Sequence, residues 1–212
     1  MSKGASAGYN RAEELRRGLA ELGQELPDLA QERLLTYLDL LARWNRVHNL
    51  TAVRDPAAMV AYHLLDSLAG RPWLPSGPLV DLGSGAGLPG LVIALAEPDR
   101  PVTLVDSAAK RTRFLVQAVG ALGLERVEVV QARMEAWRPP EPVEVVTARA
   151  VTAMDELMRL AAQLLGPTGR LVAWKGAWPE AGAEETAVEA VHPVAVPGVE
   201  GARHIVVARP GV

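Results

Sequence analysis

The stretch Val80-Asp81-Leu82-Gly83-Ser84-Gly85-Ala86-Gly87-Leu88 restricts the fold of this chain more than any other. A strand-like apolar run enters three glycines at alternate positions and leaves into a helix-like apolar run. Glycine lets the backbone turn sharply and lets a ligand approach where a Cβ would block it, and amides at the following helix start can face that ligand. The next strand-like run ends at Asp106, nineteen residues beyond Gly87. A carboxylate at that position can accept both hydroxyls of an adenosine ribose. The pattern predicts an α/β nucleoside-binding unit and not a bare strand-to-helix turn.

A literal G-x-G-x-x-G exists at Gly85, Gly87 and Gly90, which would suggest a dinucleotide. Its first glycine should close the strand, however, and the residue that does so is Gly83. Gly83, Gly85 and Gly87 give Asp-x-Gly-x-Gly-x-Gly instead. Asp81 at the strand end suits the ammonium of an amino-acid moiety and would repel a pyrophosphate. Charge therefore favours S-adenosylmethionine, which carries an ammonium and a sulfonium but no phosphate, over NAD.

Alternation of strands and helices continues from Pro78. Strands are predicted at Leu79–Leu82, Val102–Val105, Val127–Val130, Val143–Val146 and Leu171–Trp174. Helices are predicted at Leu88–Ala96, Ala108–Leu122 and Met154–Leu165. Val188–Val196 and His204–Ala208 are separated by Pro197–Gly201, too short for a parallel crossover, so they predict an antiparallel hairpin. Residues 1–75 read as helical. Leu15, Leu19 and Leu22 stop at Gly23, a longer segment opens at Pro27, and a third helix starts at Asp55-Pro56 and ends at Gly70-Arg71-Pro72. With 212 residues the chain predicts one unit, a helical leader docked on residues 76–212.

The absence of cysteine excludes disulfides, zinc ribbons, iron–sulfur clusters and thiolate nucleophiles. No run nears the ~20 apolar residues of a membrane span, and Met1–Asn10 carries no apolar signal stretch, which predicts a cytoplasmic protein. A net charge of -3 argues against a globally basic nucleic-acid coat but allows a local basic patch.

Taken together, these residues resemble the bacterial 16S rRNA guanine-N7 methyltransferases of the RsmG type, once called glucose-inhibited division protein B. The resemblance covers nearly the whole chain. It includes Trp44-Asn45 with Asn49-Leu50-Thr51, His63 with Asp66-Ser67-Leu68, and the glycine loop extended by Leu88-Pro89-Gly90. It continues through Leu104-Val105-Asp106-Ser107, Lys110-Arg111, Phe114-Leu115, Arg133-Met134-Glu135, Arg149-Ala150 and Lys175-Gly176. It implies a class I S-adenosylmethionine-dependent methyltransferase fold: a Rossmann-like, mostly parallel seven-stranded sheet with its last strand antiparallel, preceded by the helical extension. It also implies cofactor contacts at Asp81, Gly83, Gly85, Leu88, Asp106, Met134, Glu135 and Arg149, no metal, and guanine 527 of 16S rRNA in the small ribosomal subunit as target. Leu88 stands where many relatives carry phenylalanine, and either residue supplies an apolar wall.

Cytosine C5 methylation normally needs a cysteine, and exocyclic amine methylation an Asn/Asp-Pro-Pro-aromatic loop; this chain has no cysteine and reads Val146-Thr147-Ala148-Arg149-Ala150 after the fourth strand. Guanine N7 is already nucleophilic, so positioning suffices and no acid or base is assigned; Arg149 and Lys175 are the positioning candidates. Candidates for RNA contact are Arg43, Arg46, Lys110, Arg111 and Arg113, with Trp178 a candidate stacking platform. At helical spacing the basic clusters equally fit solvated faces. His63 is expected to be a helix-end histidine bonded to backbone, and Glu184, Glu185 and Glu189 the solvated face of a short helix. No long heptad pattern demands a dimer, so a monomer is expected. A small-molecule methyltransferase with the leader as lid, or a non-catalytic S-adenosylmethionine-binding ribosome-assembly module, are the alternatives.

Overall fold

The structure is a computed structural model that describes residues 10–179 and 187–210. Helix α1 (Arg11–Glu21) starts at Asn10, whose Oδ1 accepts from the amides of Ala12 and Glu13. Helix α2 (Asp28–His48) follows Pro27, buries Leu34, Tyr37, Leu38 and Leu41, and stops at Asn49 in the left-handed region. Asp55 caps the third helical segment by accepting from Ala57 N. The sequence predicts one regular helix there. The structure has three parts: α3 (Pro56–Met59), a π-helical stretch over Val60–Leu65, and α4 (Asp66–Leu68). The wider π turn rotates the residues after it about the helix axis, and such turns occur frequently at functional sites.

Among the described residues, seven strands follow, interleaved with three helices. They are β1 (Leu79–Leu82), α5 (Gly90–Ala96), β2 (Val102–Asp106), α6 (Ala109–Leu122), β3 (Val127–Gln131), β4 (Val143–Arg149), α7 (Met154–Ala161), β5 (Leu165–Lys175), β6 (Val188–Pro193) and β7 (His204–Ala208). The order across the sheet is β3-β2-β1-β4-β5-β7-β6. The first five strands are parallel, while β7 runs antiparallel to both β5 and β6, as the short 197–201 connection predicts. Two helix boundaries in this region differ from expectation by two residues or more. The helix expected from Leu88 begins at Gly90, and the one expected to reach Leu165 ends at Ala161 because β5 already starts at Leu165. Glu189 lies on β6, paired with Arg170 and Arg209, and not on a helix; Glu184 and Glu185 lie outside the described residues.

Period-two alternation decides what each strand shows to each face. Val80, Leu82, Val146, Ala148, Ala173 and Val206 pack with Met154, Leu157 and Leu160 of α7. On the other face Leu79, Leu104, Val145, Val172 and Ile205 pack with α5, α6 and the leader's Leu15, Leu34, Leu41, Leu64 and Leu68 in one continuous apolar cluster. Asp81, Thr147, Arg149 and Trp174 fall in register with this second set, so the polar groups of β1, β4 and β5 point toward the leader.

Candidate active site

The site lies at the C-terminal ends of β1, β2, β4 and β5, where the strand order reverses beside β1. Gly83, Gly85 and Gly87 all have positive φ, at 66°, 59° and 95°. This supports the register with Gly83 closing the strand. A Cβ on Gly83 would sit 3.0 Å from both γ-carbons of Val151. Gly90 serves a different end: a Cβ there would lie 2.5 Å from Asp81 Cβ and 2.6 Å from Leu104, so its absence lets α5 pack directly on β1 and β2.

Asp106 organises the loop. Its Oδ2 accepts from Gly85 N at 2.9 Å, its Oδ1 accepts from Ala108 N at 2.8 Å, and Arg111 Nη1 stands 3.4 Å from Oδ2. A cavity of about 300 Å³ opens beside it, lined by Gly83, Asp106, Met134 and Glu135 together with Val105, Ser107, Arg111, Ala132, Arg133, Ala150 and Val151. That volume is at the small end of the range for ligand sites. Val105, Ala132, Met134 and Val151 offer apolar surface for a flat ring, and the Asp106 carboxylate an acceptor for a diol. The residues present therefore fit an adenosine moiety.

Four expected cofactor residues, Asp81, Gly85, Leu88 and Arg149, do not line this cavity. Asp81 is fully buried, with Oδ1 accepting from Thr147 Oγ1 at 2.8 Å and Oδ2 from Gly90 N at 3.1 Å. Burial pushes its carboxyl up to about 6, against the opposing pull of Thr147, Gly90, Ser84 and Arg149. A carboxylate turned inward to hold α5 is not presented to a ligand ammonium, which corrects the expectation for Asp81. Leu88 is buried in the apolar cluster shared with the leader, and Gly85 contributes through its amide to Asp106; neither lines the cavity.

Arg149 faces a second cavity, of about 320 Å³, lined by Thr51, Val53, Tyr62, His63, Asp66, Arg149, Ala150, Trp174, Lys175, Gly176 and Arg203. Ala150 lines both cavities, at a φ of 53° that a non-glycine residue seldom adopts. The wall of the second cavity hangs on buried Asp66. Its Oδ2 accepts from Arg149 Nη1 at 2.6 Å, its Oδ1 from Arg203 Nε at 3.1 Å, and its backbone oxygen from Trp174 Nε1 at 2.8 Å. Lys175 Nζ donates to Thr152 O at 3.1 Å, bracing the loop after β4. His63 is not at a helix end but inside the π stretch, where its Nε2 shares a hydrogen bond with Thr51 Oγ1 at 3.1 Å. Burial, reinforced by Arg149, lowers its pKa to about 4, so the imidazole is neutral at neutral pH.

Other expected residues are dispersed. Arg111 reaches the first cavity, whereas Lys110 and Arg113 are exposed on α6 and line neither. Arg43 and Arg46 line a separate groove on the leader. Trp178 is half-buried against the α7 side of the core and lines neither cavity. Sequence reasoning missed Tyr37, whose buried hydroxyl donates to Ala86 O of the glycine loop at 2.8 Å, and gave no role to Asp66 or Arg203. The signal for Asp66 was a carboxylate inside an otherwise apolar helical run; Arg203 carried none.

The strand order with its reversed seventh strand, the glycine loop after β1 and the carboxylate ending β2 define a class I, Rossmann-like S-adenosylmethionine-dependent methyltransferase fold. The same fold is seen in a SAM-dependent methyltransferase from Aquifex aeolicus (TM-score 0.54, 14% identity, 76% of this chain and 96% of that one) and in TrmN from Thermus thermophilus (TM-score 0.52, 21% identity, 79% and 52%). Within that class the chain belongs to the GidB family, rRNA small subunit methyltransferase G, whose model matches residues 30–206. Ribosomal RNA small subunit methyltransferase G of Xanthomonas axonopodis pv. citri is 46% identical over 204 residues, covering 93% of this chain and 94% of that protein. Its namesake from Methylobacillus flagellatus is 43% identical over 199 residues, covering 92% and 96%.

Proposed function

We propose that this chain methylates N7 of a guanine in 16S rRNA, guanine 527 as the family resemblance implies, acting on the small ribosomal subunit or its rRNA as a cytoplasmic monomer. The observation that carries the reading is the junction of the two cavities at Ala150. S-adenosylmethionine is the methyl donor, and when bound it supplies an electrophilic methyl group on its sulfonium. Asp106 would hold the ribose hydroxyls, Met134 and Glu135 would border the adenine, and Gly83 would lie under the methionine portion.

The acceptor base would enter the second cavity. Arg149 is fixed there by Asp66 and by Tyr62 O, so little side-chain freedom is lost when a base docks against it. Lys175 and Arg203 add donors for acceptor atoms such as guanine O6. N7 needs no deprotonation, which suits a cavity whose one histidine is a weak base. In this reading residues 1–75 and 76–212 work as one unit, because the leader supplies Thr51, Tyr62, His63 and Asp66 to the acceptor cavity.

Mass spectrometry of rRNA digests tests the reading. Small-subunit rRNA from cells lacking the protein should lack one N7-methylguanosine that the purified chain restores with S-adenosylmethionine. Labelled methyl groups entering metabolites, with none entering ribosomal particles, would overturn it.

A further inference from the structure

An open groove of about 600 Å³ runs along the C-terminal half of α2, lined by Asp39, Ala42, Arg43, Asn45, Arg46, Arg54 and Met59. Arg43 and Arg46 are one turn apart on the same helix face, and Arg54 projects from the loop that follows α2. The one carboxylate in the lining, Asp39, is paired with Arg11 at 2.8 Å, so the groove is strongly cationic. Nε of Arg43 donates to Asp39 O and Nη2 of Arg54 to Asn49 Oδ1, contacts that hold both side chains over the groove. Ala42 and Met59 leave an apolar floor between the basic rims. A small anion would not use that floor, whereas a sugar–phosphate chain would use both.

The groove shares a wall with the acceptor cavity. In loop 49–54, Thr51 and Val53 line the acceptor cavity while Arg54 lines the groove. Asn45, itself in the groove, fixes this wall by accepting from Thr51 N at 2.9 Å and donating to Val53 O at 3.4 Å. One turn of the third helical segment separates Met59 in the groove from Tyr62 and His63 in the cavity. We infer that the α2 groove is a phosphodiester track: Arg43, Arg46 and Arg54 hold the RNA strand flanking the target nucleotide while its base occupies the cavity on the other side of loop 49–54. The inference rests on the rRNA reading above and adds to it the path of the strand.

The test compares wild type, an Arg43→Gln/Arg46→Gln/Arg54→Gln variant, its Arg→Lys counterpart, and an Arg16→Gln/Arg17→Gln control that removes charge elsewhere on the leader. Methylation of small-subunit particles from cells lacking the enzyme is measured across salt concentrations, and binding of a labelled single-stranded RNA 20-mer by anisotropy. The triple glutamine variant should raise KM about tenfold or more with kcat within about twofold. Its log–log salt slope should be shallower by about 2, from about 0.7 per lost contact. S-adenosylhomocysteine affinity should not change, and the lysine variant should recover the slope. A KM and slope equal to wild type, or an equal loss in the Arg16/Arg17 control, would overturn the track. A wild-type chain that binds the 20-mer through these arginines yet methylates no rRNA would overturn the functional reading and leave the groove standing.

Discussion

The two cavities that meet at Ala150 are built in different ways. In the proposed reading the adenosine side collects the ends of neighbouring parallel strands and the loops after them, and all of its lining residues lie within 83–151. The acceptor side is assembled across the chain: the bonds from Asp66 to Arg149, Trp174 and Arg203 span 83, 108 and 137 residues. Backbone conformation and a strand-end carboxylate define the first cavity. The second depends on buried charge pairing between elements that topology brings together late. Changes on one side should therefore separate donor binding from acceptor turnover.

The largest expected effect is on the donor side. Gly83→Asp places a side chain at φ 66°, with its Cβ 3.0 Å from Val151 and a second carboxylate beside Asp106. Aspartate tolerates the left-handed region better than most residues, so the fold should survive. S-adenosylhomocysteine affinity, read by calorimetry, should fall by about 100-fold or more, the scale of several kcal/mol for steric and like-charge conflict in a site. Undiminished affinity would remove the adenosine assignment. On the acceptor side, Asp66→Asn keeps the shape but strips two guanidiniums of their counter-charge, a loss of about 3 kcal/mol for a buried pair. The expected outcome is a kcat/KM for rRNA lower by about 100-fold with S-adenosylhomocysteine affinity nearly unchanged. Equal losses in both quantities would erase the distinction between the two cavities.

The same difference governs how much of each side is legible in the sequence. Strand β1, the glycine turn and Asp106 carry local signals: alternating glycines at positive φ and a carboxylate at a strand end. The antiparallel β7 is signalled by a connection too short to cross over. The inward turn of Asp81 is hidden because nothing local shows that Thr147, sixty-six residues on, stands beside it in the sheet. The π stretch is equally hidden, since Val60–Leu65 reads as ordinary helix and the extra residue per turn is imposed by packing. Arg203 sits in a turn-rich segment whose partner, Asp66, belongs to the leader. Trp178, close to Lys175-Gly176, fits a base-stacking role in sequence but fits the core edge better, and it packs against the core.

His63 of the second cavity and Asp81, buried beneath the glycine loop, carry shifts that oppose. His63, lowered from 6.5 to about 4, binds fewer protons folded than unfolded, so its contribution to stability is lost as pH falls through that interval. Asp81, raised from 3.8 to about 6, binds more protons folded, so its contribution is present at low pH and lost as pH rises through about 6. Between pH 4 and 6 the two slopes, each about 1.4 kcal/mol per unit, should nearly cancel in wild type. Denaturant titrations of His63→Gln should reveal stability falling with rising pH by about 2–3 kcal/mol across that window, and Asp81→Asn the reverse. Parallel slopes in both variants would show that one of the two shifts has the wrong sign.

The smallest effect tests whether the two sides are independent at all. Tyr37 sits on α2 with its hydroxyl on Ala86 O, so the helix that forms the arginine groove also touches the glycine loop. Burial raises the phenol well above its ordinary value, Arg149 opposing and Asp81 adding to the shift, so the hydroxyl stays protonated and donating. Tyr37→Phe keeps the ring against Phe114 and leaves one loop carbonyl unpaired, at a cost of about 1 kcal/mol. If the bond only stabilises the fold, thermal melting should shift by a few degrees and S-adenosylhomocysteine affinity should stay within error. If it sets the loop for its ligand, affinity should fall about fivefold, by the same free energy, and the fall should be equal with and without bound RNA. A fall that appears only with RNA present would mean that α2 transmits occupancy of the groove to the donor pocket, and groove and donor cavity would then have to be treated as one coupled site.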